Sequence, residues 1–177
     1  DSKIEDLGID CKKLEIYLKK ISKIKKNKCI NKKTGRVISG IIPVHIFGHS
    51  CDIENIIKIA KKFRLKIIED AAEAVGSFYK KRHLGTFGDV GCLSFNGNKI
   101  ITTGGGGAVI TNKKNLAKKI RYLSSTAKVK HKWEYIHDDI GYNFKMPSLN
   151  AALGLAQISK IDIFLKAKRR LFNKYSK

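Results

Sequence analysis

The chain has 177 residues, 42% hydrophobic and 29% charged, which suits one globular domain and excludes a disordered tail or a collagen-like repeat. No apolar run reaches the ~18 residues needed to cross a bilayer, so no membrane partner is expected, and no stretch reads as a signal peptide. The charge balance is +22, from 37 basic and 15 acidic residues, a surplus that raises polyanion binding.

The make-up of that surplus argues against nucleic acid as the partner. Thirty-one of the cations are Lys and six are Arg, the residue suited to bidentate phosphate and base contacts. The lysines are scattered, and their densest stretch, Lys19 to Lys33, has no aromatic residue within it. Cys11, Cys29, Cys51 and Cys92 show no C-x-x-C spacing and read as free thiols of a reducing cytoplasm. The sequence starts Asp1-Ser2-Lys3 rather than with Met and is expected to be a piece of a longer protein.

In chain order, Asp10 is placed to cap a helix with the stripe Leu14, Tyr17, Leu18 and Ile21. A basic connector follows, then a turn at Asn31 to Arg36. Val37 to Val44 reads as a strand buried on both faces, the kind parallel sheets use. Asp52 caps a second helix with Ile53, Ile56, Ile57 and Ala60 inward, and Leu65 to Glu69 is a strand ending at Asp70. Strand, helix, strand is a βαβ unit with a right-handed crossover. A Gly-punctuated loop (Gly85, Gly88) leads to a strand near Gly91 to Phe95, and the glycine run Gly104 to Gly107 precedes a strand at Ala108 to Thr111. Asn112 caps a helix carrying Leu116, Ile120 and Leu123, and helices at Leu149 to Ile158 and from Ile161 to about Tyr175 complete an α/β domain.

Ligands of open α/β sheets bind beyond the carboxyl ends of the strands. Three polar features fall there: the turn His45 to His49, the pair Glu69-Asp70, and the segment Ser94 to Lys99. Lys99 lies between a strand end and a Gly-rich loop, where partial desolvation lowers an amine's pKa and makes it a nucleophile and base. The glycine run matches neither a P-loop nor a dinucleotide fingerprint, because a strand follows it. The His and Cys residues lack metal-ligand spacing, and no metal is expected.

Pro43-Val44-His45-Ile46-Phe47-Gly48, Glu69-Asp70-Ala71-Ala72-Glu73-Ala74, Gly85-Thr86-Phe87-Gly88-Asp89, Ser94 to Lys99, the glycine run and Gly141-Tyr142-Asn143-Phe144-Lys145 occur in one order. That series closely resembles the DegT/DnrJ/StrS-type nucleotide-sugar aminotransferases, with the segment from Ser94 to Gly104 most similar to the branch serving legionaminic-acid-type pathways. The resemblance implies the type I aminotransferase large domain, a mostly parallel sheet flanked by helices, here truncated at both ends. Residues 1–155 would be part of the large domain that binds pyridoxal 5'-phosphate (PLP), and 156–177 the start of the helical connection to a small C-terminal domain.

By the same resemblance Lys99 would bind PLP as a Schiff base and later move the substrate proton. Asp70 would face the pyridine nitrogen, Glu73 would lie near the ring, and Ser94 would hydrogen-bond the phosphate. Asn143 would reach across a homodimer interface to the partner's cofactor phosphate. Lys99, where some relatives have His, implies a transaminase rather than a sugar dehydratase; Lys145 stands where the family commonly has Arg. The implied reaction moves an amino group from L-glutamate to a keto-sugar on a nucleoside diphosphate, expected at C4. An inactive fragment of such an enzyme and a Lys-rich polyanion-binding α/β protein are the alternatives.

Overall fold

A computed structural model describes residues 1–176; the expected C-terminal connection at 156–177 thus lies within the described residues except for Lys177. Helix α1 (Cys11–Ile21) starts where Asp10 accepts a hydrogen bond from the Lys13 N–H. Leu18 is buried, while Tyr17, expected on the inner stripe, points outward at 58% exposure.

The expected basic connector is instead a hairpin, β1 (Ser22–Lys25) against β2 (Lys28–Asn31). Lys26 and Asn27 form its two-residue turn with φ of 47° and 61°, the left-handed pair of a type I′ turn. The Asn31 side chain then accepts from the N–H groups of Lys33 and Thr34, which closes the expected turn.

The single buried strand expected at Val37 to Val44 is divided. β3 (Val37–Ile38) pairs antiparallel with β2, and β4 (Gly40–Ile41) pairs parallel with the next main strand. Burial alternates along this stretch, with Ile41 and Pro43 buried and Val37, Ile42 and Val44 exposed. The apolar run therefore reflects β-branched strand propensity on a half-covered surface, not burial on two faces.

Helix α2 (Ile53–Phe63) buries Ile53, Ile56, Ile59, Ala60 and Phe63. Each large apolar side chain removed from water in this way contributes roughly 1.5–3 kcal/mol. Arg64 ends the helix at φ 58°, and the Leu65 N–H returns to the Ala60 carbonyl. The chain then enters β5 (Lys66–Asp70), parallel to β4, completing the expected βαβ unit.

A small hairpin, β6 (Phe78–Tyr79) and β7 (Arg82–His83), precedes β8 (Val90–Ser94). The main sheet runs β4-β5-β8-β9, where β8 is parallel to β5 and β9 (Gly107–Ile110) is antiparallel to β8. Helices α3 (Lys114–Leu123), α4 (Ser148–Ile158) and α5 (Ile161–Tyr175) follow. The residue before α3 is Lys113, not the expected Asn112, and its side chain makes no capping bond.

The core lies where α1 and α2 pack on β2, β4 and β5, with a smaller cluster of Ala71, Ala74 and Leu84 under the turn after β5. Among the described residues α3, α4 and α5 have none buried.

Candidate active site

β5 and β8 run parallel, so Asp70 and Ser94 both sit at carboxyl ends of neighbouring strands, and Asp70 lies in register with Cys92. The Asp70 carboxylate accepts the Ala72 N–H at 3.1 Å and so begins the turn that delivers Glu73. The Ser94 hydroxyl accepts the Asn96 N–H at 3.3 Å, and a loop from Phe95 to Gly106 then carries Lys99 back over the strand ends.

Two helical side chains hold that loop. Gln157 of α4 accepts the Thr102 N–H at 3.0 Å and donates to the Thr102 carbonyl at 2.8 Å, reproducing a strand-like pair with one amide. Asn150, two turns earlier, donates to the Thr103 carbonyl at 2.6 Å. Between them Gly154 leaves room for Thr103, whose methyl would lie 2.7 Å from any Cβ placed there. Phe95 closes the loop from inside, since its carbonyl accepts both the Thr102 hydroxyl and the Thr103 N–H. Ile101 and Thr103 are buried as a result.

The Lys99 side chain reaches a cleft of about 220 Å³ lined by Phe47, Ala72, Glu73, Val75, Asn98, Lys99 and Ile100. Its Nζ lies 3.2 Å from Glu73 Oε1, and the lysine side chain is 16% exposed against 40% for the glutamate. Lys99 and the Phe47 N–H, 2.8 Å from Oε2, both donate to Glu73 and hold its carboxyl below the ordinary value of 4.5. Phe47 donates from a left-handed conformation (φ 52°, ψ 24°), a strained state for an aromatic residue that costs on the order of 1–3 kcal/mol.

Behind this cleft is a buried pair. His45 Nε2 lies 2.9 Å from Glu69 Oε2, with neither side chain exposed. The Cys51 N–H can only donate to His45 Nδ1, at 3.4 Å, so the ring proton sits on Nε2 and points at Glu69. Gly85 and Gly88 donate their N–H groups to the same carboxylate. Burial pushes Glu69 up, but these three donors outweigh it and leave the carboxyl below its ordinary value.

The structure thus brings Lys99 and Glu73 into contact, and the acid on the amine is Glu73. Asp70 begins the same turn but, like Ser94 and Asn143, is not among the residues lining the cleft. Asn143 is exposed and bridges to Ser125 through the backbone. Sequence reasoning missed the Phe47 N–H, the His45–Glu69 pair and the clasp from α4. The clasp had a signal: Asn150, Gly154 and Gln157 share one face of an otherwise apolar helix.

A partly shielded lysine on the loop beyond the strand ends of an α/β sheet is an arrangement open to amine–carbonyl chemistry. The chain belongs to the DegT/DnrJ/EryC1/StrS aminotransferase family, whose pattern matches residues 7–177. It is 45% identical over 148 residues to GDP-perosamine synthase of Escherichia coli O157:H7, covering 84% of this chain and 40% of that protein. It is 35% identical over 173 residues to UDP-4-amino-4,6-dideoxy-N-acetyl-beta-L-altrosamine transaminase of Campylobacter jejuni (strain 81-176), covering 97% and 43%. Among solved structures it is similar to Helicobacter pylori PseC, an aminotransferase involved in the biosynthesis of pseudoaminic acid, at TM-score 0.75 and 32% identity over 92% of this chain and 40% of that one. The chain spans about 40% of the length of the relatives it matches. Family membership implies PLP as the cofactor, and a shielded primary amine in an open cleft is the chemical feature such an aldehyde requires.

Proposed function

We propose that this chain carries the PLP-binding lysine of a cytoplasmic aminotransferase that moves an amino group from L-glutamate to C4 of a nucleoside-diphosphate keto-sugar. The carrying observation is Lys99, held by the α4 clasp with its amine in the cleft beyond β5 and β8. When bound, PLP supplies an electron sink for charge left on a carbon that loses a proton. Lys99 would hold the cofactor through its amine, and the same amine would be within reach to carry that proton. Asp70 would hold the cofactor at its pyridine nitrogen, Ser94 would hold the phosphate, and Glu73 would border the ring. Asn143, exposed in the single chain, completes the partner's site in a homodimer. Residues 1–155 form part of the cofactor-binding domain, and residues 156–177 begin the helical connection to a small C-terminal domain.

Its relatives carry sugars on different nucleotides in their names, GDP in one and UDP in another, so the assay offers both. With ¹⁵N-labelled L-glutamate, PLP and GDP- or UDP-linked 4-keto-sugars, the label is expected in the sugar product, and Lys99→Ala abolishes it. Transfer at an unchanged rate in Lys99→Ala would overturn the assignment. Asp70→Asn slows transfer by orders of magnitude while the circular dichroism stays native.

A further inference from the structure

Glu73 has both carboxylate oxygens engaged: Oε1 by the Lys99 ammonium at 3.2 Å and Oε2 by the Phe47 N–H at 2.8 Å. The turn that presents Phe47 is fitted to Glu73 by its backbone as well. Gly48, at φ +78°, packs where a Cβ would stand 2.7 Å from the Glu73 carbonyl oxygen. Two successive left-handed residues thus aim one N–H at one carboxylate, which fixes the side that faces Lys99. Of the seven residues lining the cleft, only Glu73 and Lys99 ionise. The charged and titratable groups on the surrounding elements are engaged elsewhere or stand outside the lining. His45 points into the core at Glu69, Asp70 bonds the Ala72 N–H, and His49 is exposed past the turn.

We infer that Glu73, oriented by the Phe47 N–H, is a positioning residue that holds Lys99 in an ion pair and restrains its reaction with carbonyl carbon until the cofactor displaces the carboxylate. The inference rests on the reading of Lys99 as the cofactor lysine. Attack requires the neutral amine, so the ammonium first gives a proton to solvent. The N–C bond then forms, the carbonyl C–O bond breaks, and the oxygen leaves as water with the two remaining amine hydrogens. A carboxylate at 3.2 Å occupies the nitrogen and has to move away before the amine is free to attack.

The test is peptide-resolved trace acetylation of the full chain at one fixed pH, with exposed Lys166 as internal reference. Glu73→Gln raises the Lys99 rate about two- to fivefold relative to Lys166, the scale of a partly exposed ion pair, and Glu73→Asp returns it towards wild type. Salt at about 1 M accelerates Lys99 in the wild type by screening the pair and leaves Glu73→Gln unchanged. The salt arm needs no variant and remains decisive where Glu73→Gln does not fold. A Lys99 rate insensitive to salt in the wild type, or equal in wild type and Glu73→Gln, overturns the inference. Absorbance on adding PLP separates the two readings. Acetylation that responds to salt and to Glu73→Gln, with no PLP adduct at Lys99, upholds the ion pair and removes the cofactor reading. An adduct at Lys99 with unresponsive acetylation does the reverse.

Discussion

Glu69 is fully buried and survives as a carboxylate because three donors converge on it. Replacing it with Gln keeps the shape but turns an amide donor towards groups that already donate. Breaking a buried, hydrogen-bonded charge in this way costs about 3–5 kcal/mol, and urea unfolding of Glu69→Gln is expected to show a loss of that size. Its depressed folded-state value also gives the direction of a pH effect. The contribution is complete above the unfolded carboxylate's ordinary 4.5 and disappears as acid protonates the folded carboxyl below it. Stability followed from pH 6 downward therefore drops in the wild type, and the drop is smaller in Glu69→Gln. Equal slopes in the two proteins would show that Glu69 is not the group responsible. The polar strand ends at His45, Asp70 and Lys99 were legible in the sequence because turn chemistry punctuates them. The inward turn of Glu69 was not, since strand alternation alone does not reveal which of two adjacent acids faces the core.

At the scale of elements, α2 was legible almost to the residue, with an apolar stripe through it and a strand run after it; Asp52 does stand before it, but its carboxylate takes the Asn55 and Lys3 side chains and makes no capping bond. The two hairpins were not. Their turns are Lys26-Asn27 and Lys80-Lys81, all four residues at positive φ, where Asn-Gly is the sequence that usually announces such a turn. Converting the first turn to that sequence, by Lys26→Asn together with Asn27→Gly, is expected to stabilise the fold by about 1 kcal/mol by relieving left-handed strain. Calorimetry checks this, and an unchanged or lower melting temperature would count against the turn geometry. The clasp from α4 carries a functional prediction. Gln157→Ala removes both bonds to Thr102, an effect of about 1–3 kcal/mol because a partly buried backbone pair loses its partner. Hydrogen exchange should accelerate from Thr102 to Gly106 while α2 keeps its protection. Acceleration spread evenly over both would mean that the clasp holds the whole fold rather than the lysine loop.

Across the whole molecule, the buried core and the apolar surface are unevenly placed. α1, α2 and β5 enclose the core, whereas Trp133, Tyr135, Ile140, Phe144, Leu149, Leu155 and Phe172 are each exposed by more than two thirds. Large apolar side chains left in water suit an interaction surface, and the shared-site homodimer proposed above would cover part of them. Sedimentation over a concentration series is expected to show association, and a monomer at all concentrations would remove Asn143 from the partner's site. The α/β class and the succession of main strands along the chain were legible because short β-branched apolar runs alternate with helical stripes of period 3.6. The pairing of β9 antiparallel to β8 was not, because hydrophobic pattern sets a strand's faces and not its direction.

One amine among thirty-one lysines, that of Lys99, is set apart by its place beyond the sheet. Incubation with PLP, reduction with borohydride and peptide mapping tests it directly. A pyridoxyl mass is expected on the peptide containing Lys99 in preference to every other lysine. Label spread over the surface lysines, or concentrated at a different one, would contradict it.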